Sequence, residues 1–168
     1  MKKLMFLLLS CLSVYGAEMP KGYGGVLFGQ TLNKVENSFE PASLYYREGY
    51  AFEPTEKFMK FDKYYFMVMP QSKKVYKIIM EANFKNGKEA QSYMDVIIGL
   101  MSGRYGDFTS VNMISVYLSK DQICISCFYV QSFTGKAIVY LSIEDESLLI
   151  EKVPFKNEIF GGFETGDK

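Results

Sequence analysis

The chain has 168 residues, with 19 basic and 19 acidic side chains and no histidine. The lack of histidine excludes Ser-His-Asp and Cys-His catalysis, histidine-based zinc sites and the usual general base at neutral pH. The 13 tyrosines and 14 phenylalanines favour β-sheet. No run resembles a phosphate loop, a calcium loop or a nucleophile elbow, so no cofactor, metal ligand or catalytic residue is predicted.

The first residues have the layout of a secretory signal peptide. Two lysines precede an apolar run at residues 4–12, and small residues follow it. Cleavage after Gly16 fits best, because small side chains then occupy the positions that the peptidase reads. The alternative is a lipoprotein signal acylated on Cys11, which is disfavoured because few apolar residues precede that cysteine. We expect residues 1–16 to be removed and the protein to be exported, to the periplasm or the extracellular space.

The remainder is predicted to be one domain, residues 17–160, followed by a flexible glycine-rich tail, residues 161–168. No stretch is apolar over the roughly 20 residues that a membrane-spanning helix needs, so no transmembrane segment is predicted. Loss of the signal peptide removes two lysines and leaves a net charge of about −2. Because binding to phosphate backbones requires a basic face, a nucleic-acid partner is not expected.

The N-terminal half predicts short strands and one short helix. The glycine-rich residues 22–25 are expected to be a flexible entry into the fold rather than a phosphate loop, because no buried strand precedes them. A short strand at 26–28 leads to a helix capped by Thr31, which Pro41 limits to about two turns. The hydrophobic period then changes to two, which predicts strands at 44–48, at 50–53 beyond Gly49, and at 64–69.

Residues 75–106 contain the strongest strand pattern and the strongest helix pattern. A strand at 75–84 is predicted to place one alternating set on a buried face: Tyr76, Ile78, Met80, Ala82 and Phe84. Asn86 and Glu89 resemble a capping box, so a helix should begin near Lys88 and end at Gly103 or Gly106. Its apolar side is predicted to be Ala90, Tyr93, Met94, Ile97, Leu100 and Met101.

Three β-rich runs, at 111–118, 123–130 and 137–143, follow the helix and predict a meander. Residues 144–152 are compatible with a last strand or with one helical turn. Because the connections between strands are too short for parallel crossovers, we predict an α+β fold with a mainly antiparallel sheet. One long and one short helix should pack on one face of this sheet, in two layers.

Cys124 and Cys127 form a C-x-x-C motif, which in an exported protein can be a redox pair. Both lie within the strand predicted at 123–130, whereas a thioredoxin-like site places its first cysteine at a helix N-terminus. Residues three apart in a strand point to opposite faces and are about 10 Å apart, beyond disulfide reach. Two unpaired thiols are therefore predicted.

Aromatic residues are dense between residues 45 and 66, and most of them are expected to pack in the core. Three tyrosines are predicted to remain as surface contacts for a partner: Tyr45, Tyr50 and Tyr64. Glu81 and Asp95, the acids considered for carboxylate catalysis, fall on predicted polar faces and are expected to be solvated.

The segment Phe28-Gly29-Gln30-Thr31-Leu32-Asn33-Lys34-Val35 resembles the Gly-x-Thr-x-x-x-Val opening of small exported bacterial proteins of the β-lactamase-inhibitor-like and outer-membrane-assembly-lipoprotein type. Phe39-Glu40-Pro41 departs from the Gly-x-Pro that usually follows the first helix. The resemblance implies a short helix leading into an antiparallel sheet, and a non-enzymatic binding or assembly role.

These patterns favour an exported, non-catalytic binding or assembly protein that recognises a protein or peptide partner through a sheet face. The alternative is a small exported hydrolase that uses carboxylate or tyrosine chemistry. The two differ structurally, because an enzyme needs a concave pocket with converging polar groups and perturbed carboxylates.

Overall fold

The structure is a computed structural model that describes residues 17–31, 40–44, 47–112 and 115–150. Four predicted features lie outside these residues: the signal peptide, the short helix after Thr31, the side chain of Tyr45 and the C-terminal tail.

The described residues form ten strands, one α-helix and one 3-10 helix. In chain order these are β1 Gly22–Tyr23, β2 Val26–Leu27, β3 Glu40–Leu44, β4 Arg47–Ala51, β5 Lys63–Val68, β6 Val75–Phe84, α1 Gly87–Tyr105, β7 Thr109–Asn112, β8 Ser115–Lys120, β9 Ile123–Gln131, β10 Ala137–Asp145 and the 3-10 helix Glu146–Ile150. The first two strands pair with each other. The other eight form one sheet in the order β3-β4-β5-β6-β10-β9-β8-β7, with antiparallel neighbours throughout. The predicted antiparallel α+β class is confirmed.

Two boundaries differ from the sequence prediction, and one open alternative is decided. Gly49 lies inside β4 rather than between two strands. The run predicted at 111–118 is divided between β7 and β8, which pair with each other. Residues 146–150, for which strand and helical turn both remained open, form a 3-10 helix.

Strand β6 lies at the centre of the sheet and is buried on both faces. Val68 of β5 pairs with Val75, whereas Met67 pairs with Lys77, so β6 contains a β-bulge. The bulge shifts the alternation of side chains by one residue. The prediction that Tyr76 shares a face with Ile78 is therefore wrong: Ile78 packs in the main core and Tyr76 in a smaller cluster with Met67.

Helix α1 begins at the predicted N-cap residue, Asn86, with Glu89 three residues later. The N–H of Glu89 donates to the Asn86 side-chain oxygen at 2.9 Å, and the Asn86 amide donates to the Glu89 carboxylate at 3.2 Å. At the other end, Gly106 has φ 121°, and its N–H donates to the Ser102 carbonyl at 3.1 Å. Only glycine adopts this backbone conformation easily, so the helix stops at Tyr105.

One side of α1 packs on β6, β10 and β9. Ala90, Met94 and Ile97 are almost completely buried in the main core, together with sheet residues such as Ile125 and Leu141. Leu100 differs from the prediction, because 54% of it is exposed. It lies at the edge of the interface, whereas Met101 and Tyr105 in the same part of the helix pack against the main core.

The N-terminal segment is an ordered hairpin rather than the expected flexible entry. Gly24 and Gly25 join β1 to β2 with φ of 60° and 94°, as a tight two-residue turn requires. An added Cβ on Gly24 would lie 2.5 Å from the Pro54 Cβ, so the close approach also requires glycine. Val26 is 3% exposed and joins the main core, which attaches the hairpin to the same face of the sheet as α1.

Candidate functional site

Tyr64 and Tyr50, two of the predicted contact residues, lie on the face of the sheet that the helix and hairpin cover. Tyr64 is only 2% exposed. Its hydroxyl accepts the Phe58 N–H at 2.8 Å and donates to the Phe61 carbonyl at 3.1 Å. The prediction that Tyr64 is a surface contact is wrong, because the side chain is buried. Its hydroxyl instead forms hydrogen bonds that hold the loop at residues 52–62 against the sheet.

Tyr50 is half-buried and stacks on Phe66, its partner on β5, with ring centroids 5.5 Å apart. Phe66 belongs to the main core, so Tyr50 borders that core. Its role as a contact residue stays a prediction. The third tyrosine, Tyr45, lies outside the described residues.

The opposite face of the sheet, here called the outer face, carries a second aromatic set that the sequence analysis did not single out. Four of its aromatic residues are at least partly exposed: Tyr65 of β5, Tyr117 of β8, Phe128 of β9 and Tyr140 of β10. Tyr76 of β6 lies on the same face but is buried. In one row across the sheet, Tyr140 pairs with Phe128, and the two rings stack at 5.1 Å. Tyr117 is 40% exposed, and the other three are half-buried.

Serines alternate with these rings. Ser126 pairs with Tyr117 on one side and Ser142 on the other, and the two serine hydroxyls lie 2.7 Å apart. Ser115 pairs with Phe128. The outer face therefore offers aromatic surface and hydroxyl groups side by side. At one end it is closed by Leu148 and Leu149 of the 3-10 helix, which pack on the Tyr76 cluster.

Two ion pairs cross the outer face. Lys77 Nζ donates to the Glu144 carboxylate at 2.8 Å, with both side chains largely buried. Lys63 Nζ lies 3.9 Å from the carboxylate of Glu81, which is only 5% exposed. The expectation that Glu81 is solvated is wrong, since it occupies the most central strand. Burial raises the pKa of this carboxyl, and Lys63 opposes the increase in part. Asp95, by contrast, is exposed as expected and accepts from Gln91 at 2.8 Å.

A concave site lies on the covered face, between the hairpin and the C-terminal half of α1. This cleft has a volume of about 340 Å³. Its floor is Met80 and Ile143, and its walls include Tyr23, Phe58 and Leu100. The Tyr23 hydroxyl donates to the Glu56 carbonyl at 2.7 Å, and burial raises the pKa of Tyr23 to about 12.

The cysteines of the C-x-x-C motif lie on opposite faces of β9 and are unpaired, as predicted. Cys127 is fully buried in the main core, and burial raises its pKa to about 12. Cys124 faces outward beside Glu144, and burial, together with the nearby carboxylates, raises its pKa as well. A redox-active thiol needs the opposite shift, because the thiolate is the reactive form.

Within the described part of the chain, no three acidic or cysteine side chains come together as metal ligands, and no helix is long and apolar enough to cross a membrane. Comparison with known proteins gives no match among family models, curated proteins or solved structures. The resemblance based on residues 28–35 therefore stays a prediction, and function has to be inferred from the two surfaces described above.

Proposed function

We propose that this is an exported, non-catalytic binding or assembly protein that recognises a protein partner through the outer face. The observation that supports the proposal is that Tyr117, Phe128 and Tyr140 lie with interleaved serines on the adjacent strands β8, β9 and β10. Tyr65 lies on the same face, on the far side of β6. Tyrosine provides rigid contact area that is apolar with a polar end, and serine provides adaptable hydrogen bonding. This composition is typical of surfaces that bind proteins.

The accessible part of the outer face is smaller than the sheet, because the β6 residues on this face, such as Ile79 and Glu81, are only 5% exposed. The strands β10, β9 and β8 span about 10 Å, and a nine-residue strand is about 30 Å long. The product is on the order of 300 Å², which fits a small, transient interface. The proposal includes the predicted two-layer architecture, in which the short helix after Thr31 packs on the same side of the sheet as α1. Partner binding requires this arrangement, because a helix on the other side would cover the outer face.

Site-specific crosslinking tests the proposal. We would place the photoreactive residue p-benzoylphenylalanine in place of Tyr117 on the outer face and, as a control, in place of Val96, which is 50% exposed on α1. One defined partner should crosslink at position 117 in the cell envelope of the native host, and none at position 96. Tyr117→Ser should weaken capture of that partner, whereas Val96→Ser should not. Equal crosslinking at both positions would contradict the assignment of the outer face.

A small hydrolase remains the second candidate, because Glu81 is a buried carboxyl whose pKa is raised by that burial, the direction that favours a general acid. Tyr65, on the neighbouring strand, also has a raised pKa, mainly through burial and partly through Glu81. Hydrolysis of ester or glycoside substrates that Glu81→Gln abolishes without unfolding the protein would support this candidate over the binding role.

Export is tested separately. Mass spectrometry of protein from the native host should find an N-terminus at Ala17, with residues 1–16 removed. A diacylglyceryl group on Cys11 would show that the protein is instead a lipoprotein.

A further inference from the structure

The cleft between the hairpin and α1 is a second site, on the face of the sheet opposite to the proposed partner surface. Its floor residues Met80 and Ile143 are 1% and 3% exposed, so it reaches the level of the main core. Protein interiors are packed about as densely as organic crystals, and an apolar space of this volume is larger than an ordinary packing defect. A volume of about 340 Å³ lies within the range of ligand-binding pockets.

The apolar walls continue to the mouth. Leu100 is 54% exposed at the rim, opposite Tyr23 and Phe58 of the hairpin and the 52–62 loop. A bound apolar molecule would bury more of the Leu100 side chain. Each Å² of apolar surface removed from water in this way contributes roughly 25 cal/mol to the binding free energy. The body of a ligand that fits this cleft is therefore apolar.

One cationic group lies at the mouth. The Arg104 guanidinium is held over the Tyr105 ring, 5.3 Å from its centroid, and both residues line the cleft. Among the described residues, no carboxylate forms an ion pair with Arg104. A guanidinium presents parallel N–H groups that match a carboxylate in two-point contact, so this rim selects for an anionic end.

We propose that the cleft binds an apolar monocarboxylate, with its hydrocarbon chain over Met80 and Ile143 and its carboxylate on Arg104. At about 30 Å³ per heavy atom, the volume holds roughly eleven heavy atoms. An unbranched alkanoate of about eight to ten carbons has this size. This inference goes beyond the proposed partner binding and does not depend on it.

Isothermal titration calorimetry with decanoate, decanol and decylamine tests the charge requirement. Decanoate should bind with a Kd of roughly 0.1–1 mM, as a ligand of this size permits. Decylamine should bind at least about tenfold more weakly, because its ammonium faces Arg104. Equal affinity for the three compounds would overturn the proposal.

Two pairs of variants locate the site. Arg104→Gln should weaken decanoate binding about tenfold and abolish the preference over decanol, whereas Lys88→Gln, an exposed cation at the other end of α1, should change neither. Leu100→Gln should weaken all binding, and Val96→Gln, equally exposed on the same helix, should not. These four positions are exposed, so the variants should fold, and thermal melts without ligand verify this. Decanoate binding that is unchanged in Arg104→Gln and Leu100→Gln would refute the site.

Failure of the ligand proposal can be told apart from failure of the partner proposal, because the cleft and the outer face lie on different faces of the sheet. Crosslinking at position 117 should be unchanged by decanoate. The affinity of a tripeptide with a C-terminal leucine carboxylate is measured in the same way for comparison. Tighter binding of the tripeptide than of decanoate would mean that the cleft recognises peptide ends, contrary to the proposal.

Discussion

Ile97→Ala is the sharpest test of how α1 and the sheet stabilise each other. Ile97 has no exposed surface and lies in the main core. The substitution removes about three carbons, worth roughly 0.8 kcal/mol each in transfer from water, or about 2.4 kcal/mol. The cavity left in a core that relaxes only in part adds to this loss, so the unfolding free energy should fall by about 2–5 kcal/mol.

Because a domain is stable by only about 5–15 kcal/mol, this loss is a large fraction of the total. At about 2–4 °C per kcal/mol for a domain of this size, the Tm should fall by roughly 4–20 °C. Val96→Ala is the matched control: it truncates the neighbouring apolar side chain, which is 50% exposed, and should change stability by less than about 0.5 kcal/mol. Thermal melts followed by circular dichroism, with urea titrations for the free energies, measure both. If Val96→Ala lost more stability than Ile97→Ala, the helix would pack with its other side on the sheet.

Three further predictions concern other parts of the fold. Burial raises the pKa of Glu81 above its usual value of 4.5, so the folded state favours the neutral carboxyl. The stability that Glu81 contributes by binding this proton is fully present below about pH 4.5 and is lost as the pH rises through the folded pKa. Glu81→Gln should therefore melt above wild type at pH 7 and close to it at pH 4. Gly24→Ala should cost about 1–3 kcal/mol in urea titrations, and more than Gly29→Ala, because both have positive φ but only Gly24 approaches Pro54. In thiol alkylation followed by mass spectrometry, Cys124 should react before unfolding and Cys127 only with it.

The helix and the central strand were predictable because each contains several consecutive periods of one pattern. Asn86 and Glu89 predicted the helix start to within one residue, whereas two glycines remained possible ends, and the helix continues through Gly103 to end before Gly106. The bulge near Tyr76 was not predictable, because both faces of β6 are buried and apolar residues lie on both, Val75 and Ile78 on one and Ile79 on the other. Alternation identifies a face only where the other face is polar.

The candidate surfaces were predicted less well than the fold. Tyr64 and Tyr117 are both tyrosines in strands, and nothing local to either distinguishes a covered face from an open one. The distinction depends on where the hairpin and α1 pack, which is a long-range property. One pattern was available: in β8, β9 and β10, large aromatic residues and serines alternate on one face, as with Ser126 and Phe128, while Ile125 and Cys127 occupy the other.

Both candidate sites follow from the way in which so wide a sheet is covered. Helix α1 packs on β6, β10 and β9, and the hairpin with the 52–62 loop covers β5, so the two coverings meet over β6 and β10. Where the last turns of α1 and Tyr23 fail to close over Met80 and Ile143, the cleft remains. On the outer face, Leu148 and Leu149 of the 3-10 helix pack on the cluster around Tyr76. If a protein partner covers the rest of that face, Tyr117→Ser should impair capture without lowering the Tm, since a side chain that is 40% exposed contributes little to the core.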